Sequence, residues 1–197
     1  MTDRKLSRRE AVTLLAAAAP LASIAPAGVA HAVRQAQSAL AAEPPFKPKF
    51  FTAHEWSTVR ALVDIIIPKD GQSGSATQAG VPEFMDFILI AYPEEQKWTR
   101  KGLAWLDTES KRRTKKSFFA SNAAERKALL DDIAFLAKAK PEMKDGVEFF
   151  NNFRDFTASG FYSSRMGVDD LQYKGNTFVM EWKGCPDAVL ERLGVHY

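Results

Sequence analysis

Two reciprocal helix-start signals organise the chain, Thr52-Ala53-His54-Glu55 and Asn122-Ala123-Ala124-Glu125. In each, the first side-chain oxygen is placed to accept an amide one turn on, and the glutamate is placed to reach back to the first residue's own amide. Behind the first box come Trp56, Val59, Val63 and Ile66, a single helical stripe widened by Leu62 and Ile67 and stopped by Pro68. Behind the second come Leu129, Leu130, Ile133, Phe135 and Leu136. Pro82 suits the first turn of another helix, which carries Phe84, Phe87, Ile88 and Ala91 and is closed by Pro93. A further helix carries Trp98, Leu103 (or Gly102), Trp105 and Leu106. An aromatic helix starts at Asp145 or Gly146, carries Phe149, Phe150, Phe153 and Phe156, and has Gly160 as its C-terminal cap. No stretch alternates apolar and polar residues as a half-buried strand does. The fold class is therefore all-α, an irregular helical domain of about five to six helices.

The C-terminal part reads differently. Residues 161–185 have no clear helical period, apart from a short helix near 168–171, and carry Gly167, Gly175 and Gly184. They form a long, mostly irregular, aromatic-rich segment with Phe161, Tyr162, Tyr173, Phe178 and Trp182. Aromatic side chains outside an amphipathic helix serve either as anchors for a partner or as cover for the domain's own core. Pro186 then opens a last short helix to Leu193.

The N-terminus has the three zones of an export signal. Arg4, Lys5, Arg8 and Arg9 make a basic start, a mildly apolar alanine-rich stretch runs from Ala11 to Ala19, and Ala30-His31-Ala32 satisfies the small-x-small rule for signal peptidase. The stretch is too poor in strongly apolar residues for a membrane anchor, which needs about 20 of them in a row, and Pro20, Pro26 and Gly28 interrupt it. Ser7-Arg8-Arg9 resembles the twin-arginine signal, which routes folded proteins to the periplasm. Cleavage after Ala32 is the expectation. Ala39-Leu40-Ala41 offers a second match, and a retained signal is the remaining alternative. The resulting division is a twin-arginine signal over 1–32, a Pro/Ala-rich linker over 33–49, with Pro44, Pro45 and Pro48, and an all-α domain over 50–197.

Charge and composition limit the function classes. The full chain carries a net charge of +3, and removing 1–32 leaves 165 residues close to neutrality, enough for one domain with its own core. Such a balance does not suit nucleic acid or an anionic membrane as the main partner. Lys111-Arg112-Arg113-Thr114-Lys115-Lys116 is a strong basic cluster, either a solvated helix end or a dock for an acidic partner. Cys185 is the only cysteine, so no internal disulfide forms, and its thiol is buried, free or paired to another chain. His54 and His196 are far apart, and the chain has no pairing of His, Glu or Cys at the spacings of a zinc, di-iron, iron–sulfur or haem site. Gly71-Gln72-Ser73-Gly74-Ser75 lacks the Gly-Lys-Ser/Thr of a phosphate-binding loop, and Ser73 lacks a nucleophile elbow. Asp64, Glu83 and Asp86 read as helix caps or surface charges, and His54 as a surface residue. No catalytic, cofactor-binding or metal-binding residue is expected in this chain.

Several segments, in order, resemble the small subunit (subunit 3) of the gluconate 2-dehydrogenase family. Spread over about residues 50–190, they are Phe51-Thr52-Ala53-His54-Glu55 leading to Val63-Asp64-Ile65-Ile66-Ile67-Pro68, Ala79-Gly80-Val81-Pro82-Glu83-Phe84-Met85-Asp86, the aromatic block from Phe149-Phe150 to Thr157 running into Gly160-Phe161-Tyr162-Ser163-Ser164, Tyr173-Lys174-Gly175 and Trp182-Lys183-Gly184-Cys185-Pro186. The resemblance implies a non-catalytic accessory subunit. Its partner would be a large FAD-dependent dehydrogenase of the glucose–methanol–choline type, acting on a sugar or sugar acid, with a cytochrome c subunit as a further candidate member. The large subunit of such complexes commonly lacks an export signal, so this chain would engage the twin-arginine translocase for both. The complex would be periplasmic, or held at the membrane by partner subunits. Phe161, Tyr162, Tyr173, Trp182 and Cys185 are the expected subunit interface, with Cys185 a candidate for an intersubunit disulfide. The competing expectation is a stand-alone periplasmic binding or redox protein.

Overall fold

The computed structural model describes residues 26–40, 46–173, 175, 180–181 and 184–195. Among them are α1 (Pro26–Leu40), α2 (Ala53–Ile66), α3 (Val81–Ala91), α4 (Gln96–Thr114), α5 (Ala123–Asp131), α6 (Lys144–Ser163), α7 (Arg165–Asp170) and α8 (Asp187–Leu193), with short 3-10 turns at Pro93–Glu95 and Pro141–Met143. The described residues contain no strand, and the chain is all-α.

Both capping boxes form. The Glu55 amide donates to Thr52 Oγ1 at 3.3 Å while the Thr52 amide donates to Glu55 Oε2 at 2.8 Å. Asn122 and Glu125 repeat the exchange at 2.9 and 2.8 Å. Such a cap is worth about 1 kcal/mol over alanine. Helix α2 buries Val59, Leu62 and Val63 completely and stops after Ile66. The chain then loops to Gly80, whose φ of 82° lies in the left-handed region that favours glycine, and α3 starts with Pro82 in its first turn.

Helix α3 is the centre of the domain. Val81, Phe84, Met85, Ile88 and Leu89 make one buried apolar face, and Pro82, Glu83 and Asp86 beside it are buried as well. It packs against α1, α2 and α6. Phe149, Phe153, Phe156 and Phe161 of α6 are core residues, and each fully buried phenylalanine contributes about 2–3 kcal/mol. Their rings interlock: Phe84 stands edge-on to Phe156 at 5.8 Å, and Trp98 meets Phe149 and Phe156 at 6.3 Å each. Helices α4 and α6 approach closely because Gly102 has no side chain, and a Cβ there would lie 1.8 Å from the Phe149 ring.

Three sequence expectations change. Residues 33–40, expected to be linker, are the second half of α1, and Ala32 and Ala36 are 4% and 3% exposed against the domain. Alanine is a strong helix former and recurs at 30, 32, 36 and 39, and the prolines at 44, 45 and 48 come after this stretch in the sequence. Gly160 caps nothing. It lies inside α6, where its bare backbone meets Phe84, and the helix continues to Ser163. The stripe behind the second capping box is cut short, because α5 ends at Asp131 and leaves Phe135 and Leu136 at 61% and 71% exposure.

Candidate functional site

Toward the C-terminal end the described residues leave the core. Ser164 closes α6 and opens α7: its hydroxyl donates to the Phe161 carbonyl at 2.6 Å and accepts the Gly167 amide at 3.1 Å. The turn is tight, and a Cβ on Gly167 would lie 2.1 Å from the Phe161 carbonyl oxygen. Helix α7 ends with Gln172 at φ 52°, the Tyr173 amide reaching back to the Val168 carbonyl at 3.1 Å. That is the hydrogen bonding of a Schellman cap, with glutamine where glycine is usual. Beyond α7 the described side chains lie outside the core. Leu171, Tyr173 and Met180 are exposed, α8 has no buried residue, and Val189, Leu193 and Val195 face outward with it.

The expected interface residues separate on this geometry. Phe161 is 1% exposed and belongs to the core, because α6 runs one turn further than its glycine suggested and carries the ring inward. This corrects its place in the interface set. Tyr162, the next residue on the helix, points out at 43% exposure, with its ring edge-on to Phe161 at 5.2 Å. Tyr173 is exposed, as is the Cys185 thiol. Trp182 lies outside the described residues, and so do Ser7, Arg8 and Arg9 of the expected export signal. Ala30 and Ala32 sit in the middle of α1, with Ala30 exposed and Ala32 buried.

Beside α7 is an open groove of about 810 Å³. Gln37 and Leu40 of α1, the Gln72-Ser73-Gly74 loop, and Arg165, Met166 and Asp169 of α7 form its walls. No sequence motif announces it, since its walls come from segments far apart in the chain. The glycine loop is not an anion cradle. Asp70 Oδ1 takes the amides of Gln72 and Ser73 at 2.8 Å each, which fills the donors an anion would need and holds the Asp70 carboxyl below its ordinary pKa.

The carboxylates read as caps or surface charges are mostly structural. Asp86 is fully buried and accepts the amides of Lys49, Phe50 and Phe51 at 2.9, 2.9 and 3.2 Å, tying the segment before α2 to α3. Asp64 accepts the Thr77 amide at 2.7 Å. Glu83 is 3% exposed, its Oε2 meets no donor, and Arg60 lies 3.9 Å from Oε1. Burial outweighs that distant cation and pushes the Glu83 carboxyl up. His54 is half exposed and pairs with Asp107. The basic cluster is partly neutralised from within: Arg112 and Arg113 both donate to Glu109, and Arg113 also to Asp132 at 2.8 Å. The hydrogen bond from Arg112 leads in lowering the Glu109 carboxyl to about 2. Among the described residues no group of three or more His, Cys, Asp or Glu side chains is placed to hold a metal ion, and no helix is long and apolar enough to cross a membrane.

Residues 53–181 match the family model described as gluconate 2-dehydrogenase subunit 3. The chain belongs to that family. The match covers every helix from α2 to α7, so the central α3, the aromatic α6 and the turn at Ser164 are parts of the subunit 3 domain. Helices α1 and α8 lie outside the matched range. Membership makes the chain an accessory subunit of a dehydrogenase complex, associated with other gluconate 2-dehydrogenase subunits. No curated protein and no solved structure matches it.

Proposed function

We propose that the chain is the non-catalytic small subunit that escorts a large FAD-dependent sugar or sugar-acid dehydrogenase through twin-arginine export and then stabilises it. The large subunit, of the glucose–methanol–choline type, binds the flavin and oxidises the substrate. This chain supplies Ser7, Arg8 and Arg9 to the translocase and a surface that holds the partner. The observation that carries the reading is the C-terminal arm: in a family defined as a dehydrogenase subunit, Leu171, Tyr173, Met180, Val189, Leu193 and Val195 are exposed beyond α7. Apolar groups concentrated in one exposed stretch are characteristic of interaction sites. Tyr162 lies at the root of this arm, and Cys185, exposed within it, is free to meet a thiol of the partner.

Truncation tests the grip directly. A chain ended after Gln172 keeps all seven helices from α1 to α7. It is expected to fold with nearly unchanged thermal stability and to lose the large subunit on affinity purification from co-expressing cells. Equal recovery of the large subunit with the truncated and full chains would remove the arm from the interface. On non-reducing gels the full complex is expected to show a reductant-sensitive heterodimer that Cys185→Ser abolishes.

A further inference from the structure

The end of the export signal and the first helix of the domain are the same residues. Gly28, Ala32, Ala36 and Leu40 recur every four residues along α1 and so lie on one face of it. That face is fitted to α3 and its flanks. Gly28 lies over the Tyr92 side chain so closely that a Cβ would come within 2.1 Å of the phenolic oxygen. Ala32 and Ala36 are buried. At the other end Leu40 covers Gly80, where a Cβ would meet Leu40 Cδ1 at 2.9 Å. Contact is therefore continuous from before the signal-peptidase motif to well after it.

A peptidase draws the residues around the bond it cuts into an extended conformation. Here the bond between Ala32 and Val33 is in mid-helix, and the small side chain at its first position is only 4% exposed. Reaching it means lifting α1 off α3 and unwinding it. Cutting it would leave residues 33–40 as the whole of the helix, two turns with no seat at Gly28 or Ala32, a length that is marginal in isolation.

We infer that the folded chain is not cut after Ala32, and that α1 is a permanent helix of the exported subunit. In the cell this rests on the twin-arginine reading, because only a chain that folds before export presents the motif already docked. Ala32 is thereby a packing residue of the α1 seat, Ala30 two residues before it faces solvent, and the small-x-small pattern at residues 30–32 is not a processing site.

Two measurements test it together. The subunit is recovered from the periplasm of cells expressing the whole complex, and its N-terminus is read by intact mass and peptide mapping. Peptides that cross from Ala32 into Val33 in essentially all molecules are expected. A chain beginning at Val33, or at Ala42 after the second motif, would overturn the inference. In parallel, purified full-length chain is incubated with signal peptidase and compared with Ala36→Asp, which places a charge in the α1 seat, and with Gly80→Val, which pushes on Leu40. The wild-type bond is expected to survive and the loosened variants to be cut at least tenfold faster. Cleavage of wild type at the variants' rate would overturn it. The escort reading fails on a different observation, a partner that still reaches the periplasm when Arg8 and Arg9 are replaced by lysine, so the two failures are distinguishable.

Discussion

Glu83 and Glu109 respond to pH in opposite senses. Glu83 is buried with Oε2 unpartnered, and its carboxyl titrates above the ordinary value. The folded state therefore prefers it protonated. That stability is fully present below the ordinary carboxylate value and is lost as pH rises through the raised one. Glu83→Gln is expected to stabilise the domain by roughly 1 kcal/mol at pH 7 and to give little change at pH 4, measured by thermal unfolding. Loss of stability at pH 7 would show that the distant Arg60 outweighs burial. Glu109 is held at about 2 by Arg112 and Arg113. Its contribution is present above the unfolded value of 4.5 and disappears as pH falls toward 2. Glu109→Gln is expected to cost about 1–3 kcal/mol at pH 7, the lower end reflecting the solvent around Arg112, and to cost far less at pH 2. A cost that stays the same at both pH values would contradict the ion-pair explanation.

Among the elements, the α4–α6 crossing has little room for added volume. Gly102→Ala puts a methyl where the Phe149 ring lies, at a nominal 1.8 Å, so the ring or the helix must move. A loss of roughly 1–3 kcal/mol is expected by chemical denaturation, against the gain of up to 1 kcal/mol that alanine normally brings to a helix. A stabilised variant would mean that the two helices are free to separate. The elements also differ in how plainly the sequence announces them. Helices α2 and α5 are legible at their starts because a capping box is local chemistry. Helix α3 is legible from Pro82 and its dense apolar run. Helix α1 is not, because Gly28, Ala32 and Ala36 carry no hydrophobic stripe. Their value is smallness against a surface that only the folded domain provides. Phe161 fails for a related reason: after Gly160 a helix can stop or continue, and here it continues to Ser163 with the bare Gly160 backbone against Phe84 of α3. Asp86 looks like any helical carboxylate until the amides of residues 49–51 arrive from 35–37 positions away. The groove beside α7 is illegible for the same reason, since three separate segments build it.

At the scale of the whole molecule, the described residues divide into a domain centred on α3 and an arm beyond α7 whose apolar side chains face out. The domain provides packing, caps and internally paired charges. The proposed escort role assigns outside partners to two parts, the arm and the N-terminal arginines. An escort of that kind needs a folded body with an address and a grip. The most direct test is the compartment of the large subunit. In cells expressing both chains, replacing Arg8 and Arg9 with lysine is expected to leave the assembled, flavin-loaded dehydrogenase in the cytoplasm and to reduce periplasmic dehydrogenase activity to background. An unchanged periplasmic level of the large subunit would contradict the account.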